Sequence, residues 1–215
     1  MSPRRRTRVR RSLAELQERA AGHLARYTAP DGYYGFATYD QSAVHDGPLT
    51  PADVLMANLL SLRLDWRDVV PLFAAGGTPY GLLRSALGDA LAEARALPPL
   101  EDCTEEQALM PALSRANQVA YETPHSPRRT RRTWGPVTVS KVLHRLAPTV
   151  PLIDAYVMGF YAARWSQDAR LAIRADLIGN REWLEPLAAA HPVRGEPMPL
   201  TRVADIAIWM EGTSS

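Results

Sequence analysis

Cysteine occurs once in these 215 residues, at Cys103. That excludes an internal disulfide framework and any cysteine-rich metal site, and leaves Cys103 to be read as a small, half-buried residue. Lysine also occurs once, at Lys141, so all but one of the 25 basic residues are arginine. Long apolar runs are missing: uncharged stretches such as residues 146–153 and 155–163 fall well short of the roughly 20 residues that span a bilayer. The basic N-terminus is followed by an amphipathic, charged stretch where a signal peptide would need an apolar one, so the sequence reads as cytoplasmic and without a membrane partner. Alternating runs of β-branched residues do not occur in pairs, which argues against a sheet. Gly-rich phosphate loops, nucleophile elbows and His-x-x-x-His or His-Glu metal spacings are absent, and the histidines at 23, 45, 125, 144 and 191 show no ligand spacing. No metal or cofactor is expected from these residues.

What remains is 46% hydrophobic and 22% charged, the balance of an ordinary soluble globule. A chain of this length buries roughly 70% of its unfolded surface, so neither a disulfide nor a metal is needed for folding. The net charge is +2, unevenly spread. Arg4, Arg5, Arg6, Arg8, Arg10 and Arg11 are read as a disordered tail over residues 1–11, because dense like charge cannot offset the entropy of ordering. The rest then carries −4. Between Glu122 and Asp154 there is no acid, while Arg128, Arg129, Arg131, Arg132, Lys141 and Arg145 supply cations, with His125 and His144 among them. Such a patch suits a polyanion such as nucleic acid; a solvated loop with no partner would look similar.

Residues 12–215 read as one all-α domain. Ser12 caps a helix to about Tyr27. Residues 28–50 form an aromatic loop without a period, in which Tyr33, Tyr34 and Tyr39 are anchors or pocket walls. Thr50-Pro51-Ala52-Asp53 opens a helix to about Leu62, Asp65 another to Phe73, and Thr78-Pro79 a third with Leu82, Leu83, Ala86, Leu87, Ala90 and Leu91 on one face. Thr104 and Gln107 make a capping box for a helix to about Tyr121. Further helices run from Pro136 to about Leu146, from caps at Asp154, Ser166 and Asn180, and from Thr201 to near Met210.

The segment from Arg132 through Leu143 combines a turn glycine, Gly135, with Pro136 at a first helical position. The N–H groups at that helix start are free to hold phosphate, with Arg131, Arg132 and Lys141 beside them. A plain helix start beside a solvated loop explains the same residues. Likewise Asp154 is an ordinary N-cap as well as a candidate catalytic carboxylate, and His144 reads as a phosphate or solvent contact, its charged form disfavoured by Arg145.

Trp134-Gly135-Pro136-Val137-Thr138-Val139-Ser140-Lys141-Val142-Leu143, followed by Pro151-Leu152-Ile153-Asp154-Ala155-Tyr156-Val157, resembles the hairpin and downstream aspartate of the helix-hairpin-helix DNA glycosylase superfamily. Gly135 and Asp154 stand 19 residues apart, similar to the family's separation, and the resemblance covers about residues 110–165. More widely, Thr50 to Leu55, the hairpin segment and the run from Val203 to Met210 resemble an uncharacterised actinobacterial domain family with no established activity.

The glycosylase resemblance implies a helix-hairpin-helix that grips the DNA backbone without sequence preference, through Arg128, Arg129, Arg131, Arg132, Trp134, Gly135, Val137 and Lys141. It also implies a monovalent cation at the hairpin, against which Thr133 argues by standing where the first of two glycines belongs. Val137 occupies the position of the lysine nucleophile of bifunctional members, so an enzyme of this type would be monofunctional. Asp154 would then stabilise charge on the deoxyribose, with the flipped base stacked on Tyr33, Tyr34, Tyr156 or Trp134. Three readings stay open: a non-catalytic DNA-binding module, a monofunctional base-excising glycosylase using Asp154, and a module whose arginines meet an acidic protein partner.

Overall fold

The computed structural model describes residues 9–32, 35–74, 78–124 and 133–213. Eleven α-helices and no strand ladder occur among them, with one isolated bridge between Val193 and Glu196. The all-α expectation therefore holds, and one continuous apolar core runs from Leu13 to Met210.

Local chemistry accounts for most of the boundaries. Ser12 accepts from the backbone of Ala14 while Glu15 reaches back to the Ser12 N–H, opening a 3-10 turn Leu13–Leu16 that runs into α1 (Gln17–Thr28). Arg11, counted with the tail in the sequence, is fixed: its N–H donates to the Phe160 carbonyl and its guanidinium lies over the Phe160 ring. The aromatic loop contains a π-helical turn, Phe36–Asp40, whose looser winding turns the consecutive side chains Tyr39 and Asp40 both inward. That is why no helical or strand period is visible there.

The Thr50 capping box starts α2 (Pro51–Met56), which tightens to a 3-10 turn over Ala57–Leu60 and stops at Ser61 in the left-handed region, φ 65°, one residue short of the expected end. Asp65 opens α3 (Trp66–Phe73) and Thr78 opens α4 (Pro79–Ala96). The buried stripe of α4 is Leu83, Ala86, Leu87, Ala90, Leu91 and Ala94, while Leu82, expected on that face, is 65% exposed. Each leucine so buried contributes about 2 kcal/mol.

The single helix expected after Thr104 is two: α5 (Glu105–Ala108) and α6 (Pro111–Glu122). Proline disfavours the helical region for the residue before it, and Met110 sits at φ 44° as the break. The exposed amides of the new start are satisfied by Glu93 of α4, whose carboxylate accepts from Ala112 and Leu113. This contact locks α4 to α6, the most extensive helix pair in the fold.

The remaining helices are α7 (Pro136–Leu143), α8 (Ala155–Phe160), α9 (Ser166–Gly179), α10 (Arg181–Ala190) and α11 (Leu200–Thr213). α9 is entered from Trp165, not Ser166: the Trp165 N–H donates to Asp168. Thr201 likewise lies inside α11 and donates its hydroxyl to the Pro148 carbonyl. α11 is the central element, buried at every residue from Leu200 to Ile208 and packed against α1, α8, α9 and α10. Gly212 near its end is required, because a Cβ there would overlap the Tyr156 ring of α8.

Candidate active site

α7 buries Val139, Val142 and Leu143 in the core, and its start is tied down by Thr138, whose hydroxyl donates to the Thr133 carbonyl at 2.6 Å. Gly135 is extended, φ 174°, a conformation open to any residue, so the turn does not need glycine. Ser140 Oγ accepts from the Ile153 N–H at 3.3 Å, which holds the segment leading to Asp154 against α7.

Lys141 is four residues beyond Val137, on nearly the same stripe of α7 but one turn deeper. Val137 is 39% exposed; the Lys141 side chain is only 11% exposed. Lys141 Nζ donates to the Leu60 carbonyl at 2.8 Å and lies 3.6 Å from Asp154 Oδ2. Asp154 divides its carboxylate between two tasks. Oδ1 accepts from the N–H groups of Tyr156 and Val157, capping α8, and Oδ2 is left facing Lys141.

Both side chains line a cavity of about 250 Å³. Its polar wall is completed by Ser61, Arg202 and Asp205, and its apolar wall by Tyr27, Leu59, Leu60, Leu152, Ile206 and Trp209. For scale, a dry cavity of about 150 Å³ admits benzene, so this one takes a single ring system of one or two fused rings.

Arg202 is buried behind the cavity and saturated with partners. Nε and Nη2 donate to the two oxygens of Asp40 at 2.9 and 2.8 Å, Nη1 to Asp205 Oδ2, and Nη2 to the Tyr27 hydroxyl at 2.7 Å. The guanidinium also lies 5.3 and 5.5 Å from the ring centroids of Tyr27 and Tyr39. Burial opposes its charge, but Asp40, Tyr27 and Asp205 outweigh burial and hold its pKa well above the ordinary value. Burial acts on Asp205 in the same sense as on any carboxyl, raising it to about 6 against the pull of Arg202, with Asp154 adding to the rise.

Of the residues expected to form a DNA-binding patch, the structure describes Trp134, Gly135, Val137 and Lys141. Arg128, Arg129, Arg131 and Arg132, with His125, lie outside the described residues, as do Tyr33 and Tyr34. Lys141 faces the cavity, where a phosphate contact would need it on the surface. Arg145 is buried and donates to the carbonyls of Tyr39, Ser42 and Ala43 and to Asp53. Trp134 is 3% exposed, so its ring belongs to the core and offers no stacking face. Gly135 and Val137 remain at the surface of the α7 start, and Tyr156 is 42% exposed outside the cavity. His144 is neither a phosphate nor a solvent contact: it is buried, its Nδ1 lies 2.7 Å from the Val150 carbonyl, and burial first, then Arg202, lowers it to about 4. Cys103 is buried outright. Thr133 gives its carbonyl to Thr138, and no cluster of three or more metal-ligating side chains occurs among the described residues. No helix among them is long and apolar enough to cross a membrane.

Sequence reasoning missed Arg202, Asp205 and Trp209. Their signal was present, since they fall at i, i+3 and i+7 on an otherwise apolar helix and so share one stripe.

An all-α globule with a small cavity, part aromatic and part charged, is the class that fold and site define. The chain belongs to a family of unknown function, DUF6308, whose model matches residues 20–212 and thus spans α1 to α11. No curated protein and no solved structure matched it.

Proposed function

We propose that this protein acts on DNA as a monofunctional N-glycosylase of helix-hairpin-helix type, with the cavity receiving a flipped base and Asp154 acting at the glycosidic bond. The observation that carries this reading is the Lys141–Asp154 pair at the wall of a cavity sized for one heterocycle. In such a step the bond between C1′ and the base nitrogen breaks, positive charge develops on the sugar, and the free oxygen of Asp154 stabilises it. Water adds at C1′, and the base leaves with a proton. Lys141, held between the Leu60 carbonyl and Asp154, keeps the carboxylate oriented and offers a remaining N–H to the departing base. Capping and catalysis are compatible, because they use different oxygens of one carboxylate.

The surface start of α7 at Gly135 and Val137, together with the arginines at 128, 129, 131 and 132, is the proposed contact to the DNA backbone. It reads charge and not sequence. The test is incubation of the purified protein with duplexes bearing uracil, alkylated or oxidised bases, followed by detection of abasic sites. Release from at least one lesion, abolished by Asp154→Asn, supports the proposal. Binding without release on every lesion overturns the enzyme and leaves a non-catalytic DNA-binding module.

A further inference from the structure

Asp205 differs from Asp154 in that no backbone amide occupies it. Oδ2 takes Arg202 Nη1, and Oδ1 accepts no hydrogen bond from any described residue. It stands on α11 one turn before Trp209, with both residues on the cavity wall. Charged and titratable groups face it from every neighbouring element: Arg202 from α11 itself, Asp40 and Tyr39 from the π-helical turn, Lys141 from α7, Asp154 from the start of α8, and Tyr27 from α1. Lys141 has three N–H groups, of which the Leu60 carbonyl accepts one, while Asp154 faces the ammonium as an ion-pair partner at 3.6 Å. The cavity thus sets a cationic donor and an open carboxylate acceptor between aromatic and leucine walls.

We propose that Asp205 determines the specificity of this cavity, selecting a planar heterocycle whose edge carries a ring N–H beside an exocyclic amino group, as guanine does. The inference rests on reading the cavity as a base pocket. Each carboxylate oxygen has two lone pairs, so Oδ1 can accept one of the two parallel N–H groups and Oδ2 the other beside Arg202 Nη1. The carbonyl that adjoins such a pair in guanine finds its donor in Lys141. A pyrimidine whose ring N–H is flanked by two carbonyls sets oxygen against the same carboxylate and is rejected. A purine lacking the amino group leaves a desolvated acceptor short of a partner and binds more weakly. Since burial raises Asp205 to about 6, the acceptor form is present at neutral pH and gives way to the protonated acid below it.

The experiment titrates the full chain with 2′-deoxyguanosine and 2′-deoxyinosine, which differ only in the exocyclic amino group, by calorimetry at pH 7.5 and pH 5. At pH 7.5 deoxyguanosine is expected to bind about tenfold tighter or better. The preference should contract at pH 5, and Asp205→Asn should remove it at both. Equal binding by the wild type at pH 7.5, binding of neither nucleoside, or a preference surviving Asp205→Asn overturns the inference. The wild-type pH series needs no variant and decides the matter even if Asp205→Asn fails to fold. Base release is scored separately: selectivity without release refutes excision alone, and release with no selectivity between the nucleosides refutes the role of Asp205 alone.

Discussion

Lys141 Nζ lies 3.6 Å from Asp154 Oδ2, although the two residues are thirteen positions apart and reach each other from different helices. The contact depends on Ser140, which pins the intervening segment through the Ile153 N–H. It gives Asp154 a partner that a mere helix cap does not need.

Asp154→Asn is expected to abolish base release while moving the melting temperature little, because asparagine caps a helix nearly as well as aspartate. Asp154→Ala removes the cap as well and should cost about 1 kcal/mol in urea denaturation. Residual release by Asp154→Asn comparable to wild type would remove Asp154 from the chemistry.

DNA affinity measured over a salt series tests which cations meet the phosphate backbone. Replacing Arg131 and Arg132 by alanine should lower the slope of log K against log salt by about 0.9 for each phosphate that is no longer neutralised. Lys141→Gln should leave that slope unchanged, since the amine faces the cavity. An unchanged slope after the arginine replacements would favour the reading in which these residues meet an acidic protein.

Two buried groups give stability opposite dependences on pH. Asp205 is raised to about 6, so between roughly pH 4 and 6 the folded state holds a proton the unfolded chain has released, and this contribution falls as pH rises. His144 is lowered to about 4, so the folded state holds fewer protons between pH 4 and the ordinary value near 6.5, and this contribution falls as pH falls. The stability of Asp205→Asn relative to wild type should therefore rise between pH 4 and pH 7.5, whatever its offset from losing the partner of Arg202. Urea denaturation at the two pH values measures it. A histidine proton resonance titrating near 4 would mark His144.

Ser61 ends the 3-10 turn beside the cavity at φ 65°, where a side chain is strained and glycine is not. Ser61→Gly should stabilise the fold by up to about 1 kcal/mol, read as a rise in thermal midpoint. A fall would mean that the hydroxyl is held by contacts worth more than the strain.

The helices were legible in the sequence because caps and prolines are local signals: Ser12, Thr50, Asp65, Thr78 and Asp154 each open a helix as read. The break at Met110 was missed although Pro111 announced it, because the Thr104 capping box and the apolar spacing beyond it both spoke for one continuous helix. At the site, Asp154 stood out through its apolar lead-in, whereas the direction of Lys141 did not. A basic residue in an acid-free segment reads as surface, and only the Leu60 carbonyl, 81 residues earlier, turns it inward. Arg145 was misplaced for the same reason, its partners being carbonyls of the aromatic loop. Carbonyls are present at every residue and leave no mark in a sequence.

α11 supplies Arg202, Asp205 and Trp209 to one side of the cavity and is buried along most of its length by helices that precede it. The same helix thus carries the packing surface for α1, α8, α9 and α10, the guanidinium that Asp40 receives, and one wall of the cavity. Fold and cavity share one element, so a change that loosens α11 disturbs both.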